Sequence, residues 1–215
     1  MARWLATMAM VCGFPLAMPA AEAIRVACVG DSITEGAGLM NREKEAYPAV
    51  LQQLLGETYD VKNFGISGRT LLSKGDAPYI NEKKYKDALA FLPNIVVIKL
   101  GTNDTKPANW KHAEEFVADY TALVESFAKL ESKPKIYLCT PVPAFPGEWG
   151  IENSRIKDGV IPKVLALAKD KKLPVIDLYQ ALSGKAKLFP DKVHPNAAGA
   201  KLMAQAVQLA LLPKE

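Results

Sequence analysis

Two polar segments far apart in the sequence together carry the residue types needed for nucleophilic catalysis. The first is the Gly-Asp-Ser tripeptide at 30–32, and the second is the segment 191–194. A serine hydroxyl becomes a useful nucleophile when a neighbouring imidazole accepts its proton, and a histidine side chain, with an ordinary pKa of about 6.5, can do this near neutral pH. Asp191 lies three positions before His194 and can accept the other ring N–H, which fixes the tautomer. We therefore predict Ser32, His194 and Asp191 as a catalytic triad.

Other catalytic chemistries find weaker support in the sequence. The chain has two histidines, and His112 lies at the polar start of a predicted helix, so His194 is the better candidate for the base. The glycines at 36 and 38 could begin a dinucleotide-binding loop, but Asn41 occupies the position of its third glycine. The sequence contains no phosphate-loop motif, no Cys-x-x-Cys pair and no His-Glu-x-x-His segment. We expect a mechanism that needs neither a cofactor nor a metal ion.

Apolar runs and amphipathic segments alternate along the chain and predict the elements that position these residues. Short apolar runs rich in β-branched side chains predict strands, apolar residues at helical spacing predict helices, and their alternation is typical of parallel β-α-β units. The predicted strands are Ile24–Val29, Tyr59–Phe64, Ile95–Leu100, Ile136–Cys139 and Val175–Leu178. The predicted helices are Tyr47–Leu55, Glu82–Leu92, Glu114–Leu130, Ser154–Lys171 and Ala197–Leu212, with Pro162 near an early turn or a kink.

Four polar blocks occur at positions that this fold brings to one edge of the sheet, where open α/β sheets bind ligands. The blocks are Val29–Gly36, Asn63–Gly65, Gly101–Asp104 and Asp191–Pro195. In this order they resemble the first, second, third and fifth sequence blocks of the SGNH (GDSL-type) hydrolases, with Ile33 where the family name has leucine. The resemblance covers nearly the whole chain after residue 23. It implies the flavodoxin-like fold of that family, a three-layer α/β/α arrangement around a five-stranded parallel sheet of order 2-1-3-4-5.

The resemblance also implies how the site stabilises negative charge. Attack on an ester places charge on the carbonyl oxygen, which must meet preorganised hydrogen-bond donors. By analogy with the family, these donors are the backbone N–H groups of Ser32 and Gly65 and the side-chain amide of Asn103. Asp31 and Asp104 are expected to brace the loops around them.

Two longer phrases, 63–72 and 192–200, resemble exported bacterial acetylesterases, including sialate O-acetylesterases. The resemblance implies a serine esterase that removes O-acetyl groups from carbohydrates through an acyl-enzyme. Aromatic rings can stack on a pyranose, and an arginine can hold the carboxylate of a sialic or uronic acid. The candidate substrate contacts are Tyr79, Trp110, Phe145, Trp149, Arg69 and Arg155.

Two alternatives use the same residues differently. The triad could serve a lysophospholipase or an acyl thioesterase, although the polar stretch 69–86 does not suggest a long apolar groove. The domain could also be a carbohydrate-binding module with a vestigial site, although a binding module has no need of an intact triad and Asn103. Turnover that depends on Ser32 distinguishes an enzyme from a binding module.

The N-terminal residues 1–23 are typical of a cleaved signal peptide, with Arg3 before an uncharged apolar run and Ala21-Glu22-Ala23 as the cleavage site. Gly13, Pro15 and Pro19 interrupt the run, so we expect export to the bacterial periplasm or medium without a stable membrane anchor.

The remaining residues, 24–215, have the length of a single domain. A net charge of +4 with scattered lysines argues against a nucleic-acid partner, and we expect a monomer that binds a small-molecule or oligosaccharide ester. Cys28 and Cys139 lie in predicted strands 1 and 4, about 9 to 10 Å apart, which is too far for a disulfide.

Overall fold

Five parallel strands form the centre of the computed structural model, which describes residues 22–147 and 149–212. The strands are β1 (Ile24–Gly30), β2 (Tyr59–Gly65), β3 (Ile95–Lys99), β4 (Lys135–Cys139) and β5 (Val175–Ile176). Their order in the sheet is β2-β1-β3-β4-β5, as predicted, and all neighbouring pairs are parallel. Because β1 and β3 lie side by side in the middle, the segments that follow them emerge next to each other at the carboxyl edge of the sheet.

The helices follow the strands in the expected alternation. They are α1 (Ser32–Glu35), α2 (Arg42–Glu45), α3 (Tyr47–Leu55), α4 (Lys83–Ala90), α5 (Pro107–Trp110), α6 (Phe116–Ala128), α7 (Ile161–Lys171), α8 (Leu178–Leu182) and α9 (Ala197–Leu211). Each long predicted helix is present, whereas the short helices α1, α2, α5 and α8 carry too few residues for a periodic pattern to indicate them.

The sheet is covered on both faces, which confirms the three-layer α/β/α fold. Successive residues of β1 point to opposite sides, so Ala27 and Val29 join one core while Val26 and Cys28 join the other. The first core is completed by buried residues of α4, α6 and α7, and the second by those of α3, α8 and α9. A sheet buried on both faces holds the strand ends in fixed positions.

Cys28 and Cys139 are buried free thiols, as predicted. Strand β3 separates β1, which carries Cys28, from β4, which carries Cys139. Burial raises the pKa of the Cys28 thiol to about 12 and also raises that of Cys139. Both side chains therefore behave as small apolar groups.

Two predicted elements differ from the structure. Strand β5 ends at Ile176, because the Asp177 side chain accepts the N–H of Gln180 and starts α8. The predicted helix 154–171 is a π-helix over Arg155–Val160 followed by α7. Pro162 has no N–H to donate to the carbonyl four residues earlier, which favours a wider turn at this point.

The predicted signal peptide spans residues 1–23, and its first 21 residues lie outside the described part of the chain. Over the described ranges, the structure contains no helix of sufficient length and apolarity to cross a membrane.

Candidate active site

Ser32 is the first residue of α1, directly after the sharp turn that ends β1. The Asp31 side chain caps this helix by accepting the N–H of Ile33 at 3.0 Å. Gly36, with φ of +93°, ends the helix after a single turn. A serine held between two such caps has little freedom, and it lies at the sheet edge with only 7% of its surface exposed.

His194 and Asp191 reach Ser32 from the loop before α9. The His194 Nε2 atom lies 2.8 Å from Ser32 Oγ, and its Nδ1 atom lies 2.6 Å from Asp191 Oδ2. Ser32 and His194 are 162 positions apart in the sequence. The fold therefore brings the three predicted triad residues into one chain of contacts.

The Asp191 carboxylate is fixed by the backbone of its own turn. Its Oδ1 atom accepts the N–H of His194 at 2.7 Å and that of Val193 at 3.0 Å. Partial burial alone would raise the pKa of Asp191, but these N–H groups and the His194 ring outweigh it and lower the pKa below its ordinary value. Asp191 is therefore ionised at neutral pH and acts only as an acceptor toward the imidazole.

Trp149 covers the imidazole from the solvent side. Its ring meets that of His194 edge to face, with the centroids 5.3 Å apart, and its Nε1 atom donates to the Asp191 carbonyl at 3.2 Å. Half of the Trp149 surface remains exposed. The indole thus contacts His194 and Asp191 and still presents exposed surface to solvent.

A cavity of about 280 Å³ opens in front of the Ser32 hydroxyl. Its walls combine catalytic candidates, small or apolar side chains and one lysine. The residues that line it are Ser32, Ala37, Ser67, Gly68, Asn103, Lys106, Trp149, Ile151 and His194. The Asn103 Nδ2 atom donates to the Arg69 carbonyl at 3.1 Å, which orients the amide and leaves its second hydrogen available. The Lys106 ammonium, 3.8 Å from Asp76, forms no hydrogen bond within the described residues.

The prediction that Gly65 provides an oxyanion donor is wrong. Its N–H donates to the Asn63 side chain at 2.9 Å, and Gly65 does not line the cavity. A glycine is needed there for a different reason, because a Cβ atom would lie 2.3 Å from the Glu35 backbone nitrogen. The glycine that lines the cavity is Gly68, whose φ is +79°. Its N–H has no hydrogen-bond partner among the described residues.

Asp31 has a second partner that the sequence analysis missed. Lys99, the last residue of β3, places Nζ 2.9 Å from both Asp31 carboxylate oxygens and 2.9 Å from Thr102 Oγ1. Both charged side chains are fully buried, and burial lowers the pKa of Lys99 while the carboxylate acts in the opposite direction. The signal in the sequence was a single lysine at the end of an otherwise apolar strand.

Asp104 braces the loop that faces the site from the other side. It is fully buried and accepts the N–H groups of Leu71 and Leu72 at 3.1 and 2.8 Å. Burial raises the pKa of Asp104 to about 7, although the two N–H groups act to lower it.

Most of the predicted substrate contacts have other roles. Tyr79 is fully buried and donates to the Phe64 carbonyl, so the prediction that it contacts a sugar is wrong. The Trp110 ring packs over Gly159, and Phe145 packs against Phe189 with the centroids 5.1 Å apart. Neither ring lines the cavity.

The two predicted arginines are engaged by protein groups. Arg69 pairs with Glu82 at 2.8 Å and donates to the Ser67 carbonyl, and Arg155 donates to the Thr105 carbonyl and lies 3.3 Å from Glu152. These contacts use the guanidinium groups that were expected to hold a substrate carboxylate. Of the six predicted substrate contacts, Trp149 is the one that lines the cavity. No group of three His, Cys, Asp or Glu residues within 22–147 and 149–212 could hold a metal ion.

The sequence of this chain is similar to that of a curated enzyme. A curated acetylxylan esterase of Xylanibacter ruminicola is 46% identical over 211 residues, covering 90% of this chain. The chain spans only 44% of the length of that relative.

Solved structures share the fold at lower identity. A carbohydrate acetylesterase of Sinorhizobium meliloti, Est24, superposes with a TM-score of 0.73 at 21% identity, over 87% of this chain and 97% of the other. An aryl esterase of M. smegmatis gives 0.71 at 22% identity, over 88% and 98%. At these identities the likeness concerns the fold alone.

The family model described as "GDSL-like Lipase/Acylhydrolase family" matches residues 28–202, a range that begins within β1 before Ser32 and ends within α9 after His194. The chain belongs to the GDSL-like lipase/acylhydrolase family.

Proposed function

We propose that this chain is a serine esterase that removes O-acetyl groups from carbohydrates. The observation that carries the proposal is the chain of contacts from Asp191 through His194 to Ser32, which ends in a cavity also lined by Asn103. This arrangement fits acyl transfer to a serine hydroxyl.

The first half of the reaction follows from the protonation states. Asp191 only accepts, so the ring proton of His194 lies on Nδ1, and Nε2 is free to take the proton of Ser32. The Ser32 Oγ atom attacks the acetyl carbonyl carbon, and the resulting tetrahedral intermediate collapses as His194 returns the proton to the leaving sugar oxygen. The acetyl group then remains on Oγ. A water molecule activated by His194 releases acetate in the second half.

Three donors surround the place where the oxyanion forms. They are the N–H of Ser32, the N–H of Gly68 and the free amide hydrogen of Asn103. The first two have no hydrogen-bond partner among the described residues, and all three residues line the cavity. Gly68 thus takes the role that the sequence analysis assigned to Gly65. Such donors act most strongly in a site shielded from water, which Trp149 helps to provide.

The size of the cavity and the names of the relatives support an acetyl ester of a sugar. About 280 Å³ between Ala37, Trp149 and Ile151 suits a short acyl group and part of one sugar ring. The relatives named above as an acetylxylan esterase and a carbohydrate acetylesterase point to the same substrate class. A sialic acid substrate lacks support of this kind. The side chains expected to hold its carboxylate, Arg69 and Arg155, are bonded to Glu82 and to the Thr105 carbonyl instead.

We further propose that the chain is exported through its N-terminal leader and acts as a monomer. Acetylated polysaccharides lie outside the bacterial cytoplasm, which agrees with a leader over 1–23. The N-terminal sequence of the chain after expression in a bacterium tests whether the leader is removed. The mass of the purified chain in solution tests whether it is a monomer.

Acetate release from a panel of esters tests the proposed function. The purified chain is incubated with acetylated xylo-oligosaccharides, acetylated pectin fragments and O-acetylated sialic acids, beside p-nitrophenyl acetate and octanoate, with Ser32→Ala as the control. We expect turnover that depends on Ser32 and prefers acetate, with xylo-oligosaccharides favoured. A preference for octanoate would instead favour a lysophospholipase or thioesterase. Sugar binding without turnover would indicate a carbohydrate-binding module.

A further inference from the structure

The buried pair of Lys99 and Asp31 joins the two loops on which the proposed reaction depends. Lys99 ends β3 and lies opposite Gly30 in the sheet, so its side chain starts just beneath the turn that carries the nucleophile. Neither charged side chain has any exposed surface. Burying two charges is costly even when they are paired, and an apolar pair of similar volume often gives equal or greater stability.

All three hydrogens of the Lys99 ammonium have acceptors. Two point to the Asp31 carboxylate oxygens and one to Thr102 Oγ1, each at 2.9 Å. Asp31 immediately precedes Ser32 and also caps α1. Thr102 immediately precedes Asn103. A single ammonium is therefore bonded to the residue before the nucleophile and to the residue before an oxyanion donor.

We propose that Lys99 is a positioning residue that sets the separation between Ser32 and the Asn103 amide. Catalysis needs the oxyanion donor within about 0.5 Å of its place, and the backbone pairing of β1 with β3 ends at Gly30 and Lys99, so beyond that point the two loops need another link to keep their separation. The directed hydrogen bonds of the ammonium provide one, which an apolar pair cannot do. This inference rests on the proposed esterase function and adds a residue that does not itself touch the substrate.

Removing both charges together tests the inference without leaving one charge buried alone. The double variant Asp31→Asn with Lys99→Met is compared with wild type in p-nitrophenyl acetate hydrolysis and in thermal unfolding. We expect kcat to fall at least tenfold while KM changes less than twofold. Val207→Ala, in the buried face of α9, is a control that lowers stability but should keep kcat.

A second comparison separates positioning from a general structural role. The double replacement is repeated in the Asn103→Ala background. If Lys99 acts through Asn103, the loss of kcat caused by the double replacement should be much smaller there than in wild type, because the donor it positions is already absent. The same fold-loss in both backgrounds would overturn the inference, as would full activity of the double variant. Absence of turnover that depends on Ser32 in the wild type would overturn the esterase function itself.

Discussion

Asn103 is the proposed oxyanion donor that a single substitution can remove, since the other two proposed donors are backbone groups. Asn103→Ala deletes the amide and its hydrogen bond to the Arg69 carbonyl. We expect kcat for p-nitrophenyl acetate to fall by about 10² to 10³, which is the usual cost of losing one such donor. Circular dichroism and the unfolding midpoint serve as controls for folding. Activity within threefold of wild type would exclude Asn103 from the oxyanion hole.

Lys106 lines the cavity in front of Ser32, and among the described residues its acidic partner is Asp76, whose carboxylate lies 3.8 Å away, beyond hydrogen-bond distance. An ammonium in this place can donate to hydroxyl or ester oxygens of a sugar. We expect Lys106→Met to raise KM for acetylated xylo-oligosaccharides about tenfold, the loss of one hydrogen bond to a charged group.

The control for Lys106 is the exposed Lys111, which does not line the cavity. Lys111→Met should leave kcat and KM for acetylated xylo-oligosaccharides unchanged. Both variants should hydrolyse p-nitrophenyl acetate, which has no sugar, at the wild-type rate. An equal effect of Lys106→Met on the two substrates would contradict a role in sugar binding.

The sequence allowed the prediction of residues whose chemistry is evident from their type. A serine, a histidine and an aspartate at loop positions are rarely needed for packing, so they could be singled out. Gly65 and Gly68 could not be told apart in this way, because both are glycines in a polar loop and only the contacts of their N–H groups distinguish them. Tyr79 and Trp110 were misassigned because large rings serve cores and sugar sites equally well.

At the scale of elements, β2 and α1 approach each other so closely that Gly65 permits no side chain. A Cβ atom there would lie 2.3 Å from the Glu35 nitrogen and 2.7 Å from the Thr34 carbonyl carbon. Gly65→Ala must therefore push α1, which begins with Ser32, away from β2. We expect a loss of about 1 to 3 kcal/mol in the free energy of unfolding, together with a clear loss of kcat.

Gly56→Ala is the matched control for this close approach. Gly56 ends α3 with φ of +73°, and a Cβ atom there meets nothing within 4 Å. Because φ of +73° with ψ of −166° is a region essentially restricted to glycine, the substitution should lower the free energy of unfolding by about 1 to 3 kcal/mol through backbone strain alone, and kcat should not change. Urea titrations and p-nitrophenyl acetate kinetics check both variants. Normal kcat in Gly65→Ala would mean that α1 need not shift.

Long elements were predictable because their apolar patterns repeat, and their order follows from the β-α-β rule. The end of β5 and the π-helix before α7 depend on single side chains, Asp177 and Pro162, whose local effects a periodic pattern does not record. The same is true of α1, a single turn that owes its position to the Asp31 cap and to Gly36. Of these short elements, α1 carries the proposed nucleophile Ser32, so the sequence predicts the scaffold more completely than the geometry of its site.

At the scale of the whole molecule, Asp104 makes stability depend on pH. Burial raises its pKa in the folded state to about 7, while an unfolded aspartate has a pKa of about 3.9. Between these values the folded chain holds a proton that the unfolded chain has lost. The stabilisation is thus fully present below about pH 4 and is lost as pH rises toward 7, at up to about 1.4 kcal/mol per pH unit. The lowered pKa of Asp191 acts in the opposite direction, but only below about pH 4.

Urea unfolding at pH 5 and at pH 7.5 measures this dependence in wild type and in Asp104→Asn. Asparagine cannot ionise, and it offers one acceptor oxygen where Asp104 uses two, one for the N–H of Leu71 and one for that of Leu72. Because one acceptor is lost, we expect the variant to be less stable than wild type at pH 5. We expect the difference in the free energy of unfolding between the two proteins to shrink at pH 7.5. At that pH the folded wild type either buries the charged carboxylate of Asp104 or takes up a proton on folding, and both lower its stability. An identical change in both proteins between the two pH values would mean that Asp104 ionises as easily in the folded chain as in the unfolded one.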